Sequence, residues 1–196
     1  MAIIPGLLPR GTEFVMRPMS SAMPQRAAFG AGRRRMNRPG SHWALSVTVP
    51  PQCAAGAGVE LAVDLISGDS QSILLPIPEA MDAGPCGLPT VDGDGQAGSV
   101  LAMVGLTPRY PVRKGKFFSV IHEGRRYVHW CTAETLADGD GKASVPIWPM
   151  MRIDFADGDV IEMARPMIEG EIDALPDLAL DELKTLGLSF LIEETD

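Results

Sequence analysis

Twenty-one glycines and seventeen prolines are spread along the whole 196-residue chain rather than gathered in one linker. Proline removes a backbone donor and clashes with the preceding helical turn, so helices of ordinary length do not survive that spacing. Short strands joined by frequent turns do. The expected fold class is all-β: a sandwich or barrel of short antiparallel strands, with an extended N-terminal arm and one short C-terminal helix. Apolar residues at 45% and charged residues at 21% exclude a disordered chain, a coiled coil and a collagen-like fibre. No run approaches the roughly 18 apolar residues of a membrane span. Met1 to Arg10 lacks a basic n-region and is broken by Pro5 and Pro9, so no signal peptide is predicted. Cys53, Cys86 and Cys131 are odd in number and widely spaced, which predicts reduced, buried thiols in a protein folded in a cytoplasm.

Charge divides the chain into three parts. Residues 1–40 carry a net +6, residues 41–133 a net −2 and residues 134–196 a net −12. The predicted organisation follows: a basic arm or belt over 1–40, a β-rich core over 41–173, and a short helix plus terminal strand over 174–196. Clustered arginines suit nucleic acid. However, the remainder of the chain would repel phosphates, and no aromatic residues interleave Arg33, Arg34 and Arg35 for base stacking. Another reading is a solvated basic tail. The preferred one is an arm that docks on the acidic surface of a neighbouring copy. In that reading Arg17, Arg26, Arg33, Arg34, Arg35 and Arg38 guide docking towards Asp154, Asp157 and Asp159, while Phe14, Met19, Met23 and Phe29 supply apolar burial.

Several segments have clear periodicity. An extended piece is read at Thr12–Arg17. In Ser41–Val49, Trp43, Leu45, Val47 and Val49 alternate with His42, Ala44, Ser46 and Thr48, the period of a half-buried strand. Val59–Ile66, Ser72–Ile77, Ser99–Leu106, Ala143–Trp148 and Asp159–Ala164 are read as further strands, and residues 79–98 as a loop. Lys116–Thr132 is read as a hairpin around Gly124-Arg125, pairing Ile121 with Val128 and placing Phe117, Ser119, Val128 and Trp130 on one face. Pro176-Asp177 starts the expected terminal helix, and Leu188–Glu194 closes the chain as a strand. Asp92–Asp94, Asp138–Asp140 and Asp157–Asp159 repeat Asp-Gly-Asp. They are read as turns, because the later oxygen ligands of a calcium loop are missing.

Few residues suggest chemistry. His122, His129 and Cys131 share one face of the hairpin, opposite Trp130, and are read as solvent-facing polar residues without a fourth metal ligand. No nucleophile elbow and no glycine-rich phosphate loop are present. Trp43 and Trp130 are expected in the core, and Trp148 near an interface. No catalytic residue, metal or cofactor is predicted, and the chain is not expected to be an enzyme.

The stretch "WCTAETLADGDGKASVPIWPMMR" from Trp130 to Arg152 resembles a pattern in tail-tip structural proteins of tailed bacteriophages, where a strand, an Asp-Gly turn and a short strand end in I-x-P-x-x-R. "GQAGSVLAMVGL" and "VRKGKFFSVIHEGRRYVHW" look like the preceding hairpin elements. "RPMSSAMPQ … SHWALSVTVPP" is similar in layout to the opening of distal tail proteins, and "LSFLIEE" fits their close. The resemblance implies a non-enzymatic virion structural protein of the tail tip. It would form a homo-oligomeric ring, hexamer or trimer, joining the tail tube to the hub or fibres. Such a subunit would fold in the host cytoplasm and end in the virion tail, without nucleic-acid or membrane partners. One alternative is a receptor- or glycan-binding tail module, which needs an exposed aromatic platform at residues such as Trp148 or Tyr110. Another is a small cell-wall hydrolase, which needs paired carboxylates of unequal pKa in a cleft.

Overall fold

A computed structural model describes residues 8–25, 34–36, 39–53, 56–67, 72–173, 179–180 and 185–195. In chain order its elements are β1 (Glu13–Met19), β2 (Met23–Gln25), β3 (Arg34–Met36), β4 (His42–Cys53), α1 (Ala57–Ser67), β5 (Ile73–Pro76), β6 (Gly87–Val91), β7 (Val100–Leu106), β8 (Pro111–Val112), β9 (Phe117–His122), β10 (Arg125–Cys131), β11 (Thr135–Leu136), β12 (Ala143–Trp148), β13 (Val160–Glu162), β14 (Met167–Ile172), β15 (Ala179–Leu180) and β16 (Thr185–Glu193). The protein is mainly antiparallel β, with one short helix among the described residues. No described helix is long and apolar enough to cross a membrane.

Two assemblies share the chain. Strands β10-β12-β7-β6-β13-β9 close into a barrel, and β1-β4-β16-β14-β5, with β15 on β16, form an open sheet. The barrel is an insertion between β5 and β14, so the sheet draws on both sides of it. Each assembly has its own apolar cluster. Leu101, Met103, Phe118, Val120, Val145 and Phe155 fill the barrel. Trp43, Leu45, Val47, Phe190 and Ile192 line the sheet's inner face, with Leu61, Ala62 and Leu65 of α1 packed in the same cluster. The sheets therefore divide the chain at other places than its charge does.

The alternation in β4 lies as expected: Trp43, Leu45, Val47 and Val49 are buried and Thr48 is exposed. The extended piece at Thr12–Arg17 becomes β1, paired with β4 from Glu13↔Thr48 to Met19↔His42. Phe14, half-buried, packs on the sheet's own apolar cluster.

Several segments differ from expectation. Val59–Ile66 is helical, not a strand, because its buried positions, Leu61, Ala62 and Leu65, recur at helical spacing while Val59, Val63 and Ile66 face out. The one described helix is therefore not at the C-terminus. Within the expected terminal helix, Ala179–Leu180 is extended and pairs with Leu186–Gly187, while 174–178 and 181–184 lie outside the described residues. The loop read over 79–98 contains β6, whose pairing with β7 is interrupted by a register shift between Gly87 and Thr90.

The hairpin turns at Glu123-Gly124, one residue earlier than expected, which shifts the cross-strand partners by two and pairs Ile121 with Arg126 and Val128 with Ser119. Both turn residues have positive φ, 48° and 83°, as a type I′ turn requires. A two-residue shift preserves the faces. Phe117, Ser119, Val128 and Trp130 do share a side, but that side is the barrel's outer wall. Val128 is buried there against the sheet, whereas Trp130 remains 36% exposed, contrary to the core position expected for it. The face read as solvent-facing is the barrel interior, where His129 and Cys131 are buried. Of the three cysteines expected to be buried, Cys53 is exposed.

Candidate functional site

The barrel's outer wall meets the inner face of the sheet through aromatic rings. Phe117 is the cross-strand partner of Trp130, and Trp130 that of Trp148, so three adjacent strands turn rings outward at one level. Trp43 of β4 fits into this row. It stacks on Trp130 with centroids 5.5 Å apart, and meets Trp148 edge-on at 4.7 Å and Phe117 at 5.1 Å. Such pairs contribute about 0.5–1.5 kcal/mol each beyond their area burial. One side of the cluster is open. Pro18, Trp43, Lys114, Trp130, Thr132 and Trp148 line a pocket of about 290 Å³. Pro18 lies on β1, so this apolar surface is continuous with the outermost strand of the sheet. The buried indole Nε1 of Trp43 has no hydrogen-bond partner among the described residues.

Three carboxylates fasten the hairpin β9–β10 to its surroundings. Glu194, just past β16, accepts the backbone N–H of Trp43 at 2.9 Å and that of Val128 at 2.6 Å. Glu169 of β14 accepts the N–H of Arg126 at 3.1 Å, and Glu79 that of Phe117 at 3.0 Å. Since β10 pairs with β12 only at Trp130 and Cys131, Glu169 and Glu194 take the place of a missing strand neighbour for Arg126 and Val128. Burial pushes the Glu194 carboxyl up to about 7, although Arg152 and both N–H donors pull it down. Lys116, itself buried, bridges Glu79 at 3.1 Å and the Met81 carbonyl at 2.9 Å. Burial lowers His129 to about 4 and raises Cys131 to about 12, so the imidazole and the thiol are both neutral at pH 7.

The residues expected at an interface are only partly brought together. Arg17, Met19 and Met23 are exposed in or just beyond the outermost strand, with Met23 at 58% and Met19 at 36% exposure, and Trp148 is half-buried in the aromatic row. The described backbone of Arg34 and Arg35 pairs with Gln25 and Pro24 in the two-stranded β2–β3. Arg26, Phe29, Arg33 and Arg38 lie outside the described residues. Asp154 is exposed. Asp157 accepts the N–H of Gly93 at 2.8 Å, and Asp159 pairs with His122 at 2.7 Å, so both are engaged within the chain. The first and third Asp-Gly-Asp segments interlock, since Asp157 also donates its N–H to Asp94 at 2.8 Å. Among the described residues no cluster of three or more His, Cys, Asp or Glu is placed to hold a metal ion.

Sequence reasoning missed Glu79 and Glu194, and read Glu169, with Glu171, as part of the acidic docking face, whereas Glu169 accepts a backbone N–H within the chain. Acid next to an apolar run, as in "FLIEE", was their only local sign. Compared with known families and curated proteins, the chain matches no family model and no curated sequence.

Proposed function

We propose that the protein is a non-enzymatic structural subunit of a tailed-phage tail tip. It assembles into a homo-oligomeric ring, hexamer or trimer, that joins the tail tube to the hub or fibres. It folds in the host cytoplasm and ends in the virion tail. The observation that carries this reading is the continuous apolar surface from the outermost strand to the aromatic row. Pro18 and Trp130, the latter 36% exposed, lie along it, and contiguous exposed apolar surface marks a contact site. Val15 (53% exposed) and Met19 are exposed on the opposite face of the same strand, alternating with Phe14, Met16 and Pro18. Arg17 on the same strand adds positive charge to this edge of the sheet, against a C-terminal third of net −12. A head-to-tail contact of that kind makes a ring where its rotation closes and a filament where it does not.

The test is the mass of the full chain by sedimentation over a range of salt concentrations. A species of three or six copies that dissociates as salt rises is expected, and charge reversal at Arg17, Arg34 and Arg35 should weaken it. A monomer under all conditions overturns the ring. Electron microscopy of particles carrying a labelled chain should place the label at the tail tip, and a label elsewhere overturns the location.

A receptor- or glycan-binding tail module is the second reading, favoured by the open pocket at Trp130 and Trp148. In that case neutral oligosaccharides should quench tryptophan fluorescence, and Trp130→Ala should abolish the quenching.

A further inference from the structure

A second cleft, of about 590 Å³, lies at the barrel's rim between residues 80–85 and 107–113. Its walls are tied together. The Tyr110 hydroxyl donates to the Ala83 carbonyl at 2.6 Å, the Thr107 hydroxyl to the Pro85 carbonyl at 2.6 Å, and Lys116 to the Met81 carbonyl. Pro85, Pro108 and Pro111 stiffen the lining further. Such a cleft exists before any ligand arrives, and its volume falls in the ordinary range of small-molecule sites.

The charge in this cleft is not balanced. Arg109 and Arg113 line it, and neither guanidinium has a carboxylate partner among the described residues. Lys116 is already matched by Glu79. Asp82, the one acid in the lining, accepts the N–H of Gly84 at 3.0 Å. Arg109 also holds a left-handed backbone, φ 61°, a conformation that is strained for a non-glycine residue. That strain places a guanidinium where glycine would have been the easier residue. Both arginines are exposed, so in a chain of net −8 two solvated, unmatched cations stand together on a preformed cleft.

We infer that this cleft binds a compact oxyanion-bearing ligand, a carboxylate or phosphate carried on a body of one or two rings. The fork of each guanidinium grips the oxyanion and the proline and tyrosine faces take the ring. The site is separate from the aromatic pocket and does not depend on ring assembly. Calorimetry on the full chain at low salt tests it, with galacturonate, neutral galactose and inorganic phosphate as probes. Galacturonate should bind one per chain, phosphate should compete with it, and galactose should not bind. Arg113→Gln should weaken binding by about tenfold or more. Arg109→Gly should do the same while raising the thermal midpoint, because it removes the strained conformation together with the charge; a residue there for structure alone would lower it. Trp130→Ala should leave binding unchanged. Failure of both anions to bind, equal binding of galactose, or undiminished binding in both arginine variants would overturn the proposal.

Discussion

Glu194 shows how much one side chain decides here. It is buried between a sheet strand and a barrel strand and accepts a backbone N–H from each. Its folded pKa of about 7 stands above the unfolded value of 4.5. The native state therefore holds a proton that the unfolded state gives up between those two pH values. The contribution of Glu194 is fully present below pH 4.5, falls as pH rises, and is lost above pH 7, a span on the order of 3 kcal/mol. Comparing wild type with Glu194→Gln by chemical denaturation across that range should show the wild type losing ground as pH rises. A difference independent of pH refutes the assignment. At the same scale, a thiol reagent should label Cys53 in the native protein, and Cys86 and Cys131 only after unfolding, since one is exposed and the others are buried. Neither behaviour was legible in the sequence. The acid at Glu194 and the three thiols look alike in a string of letters, and only long-range packing separates them.

Among the elements, those with a clean period of two were readable. Trp43, Leu45 and Val47 point inward in β4 as their alternation requires. The run Val59–Ile66 was not, because valine and isoleucine in sequence favour a strand while the burial of Leu61, Ala62 and Leu65 follows a helix. Val63, 54% exposed in that helix, gives the two conformations opposite signs. Val63→Ala should stabilise the protein by about 0.5 kcal/mol in a helix and destabilise it in a strand, and thermal denaturation reads the sign. Strand β14 shows another limit. Ile168 and Ile172 alternate with Glu169 and Glu171, but Gly170 between them hides the pattern. A Cβ at Gly170 would sit 2.2 Å from the Glu193 carbonyl oxygen, so only glycine lets β14 approach β16. Gly170→Ala should cost about 1–3 kcal/mol by overpacking, measured as a lowered denaturation midpoint. The candidate site was half legible. Its tryptophans were singled out, but their meeting depends on a barrel packing its outer wall on a separate sheet, which no local pattern encodes.

For the molecule as a whole, the aromatic row and Glu194 join two assemblies that each have a core of their own. They should therefore unfold together. Tryptophan fluorescence, which reports the junction, and far-UV circular dichroism, which reports all strands, should give one coincident transition. Two separated transitions would show the junction to be weaker than its contacts suggest. The insertion of the barrel also sets a timetable during synthesis. Thr48 of β4 faces Ser189 of β16, 141 residues later, so the centre of the sheet stays unpaired while the ribosome makes the whole barrel. The barrel, local in sequence, is free to fold first, and the apolar face of β4 must wait for its partner. A ribosome that stops before Thr185 would release a finished barrel attached to a sheet with an open centre. Strand β16 thus decides whether β4 becomes part of a folded sheet or stays sticky.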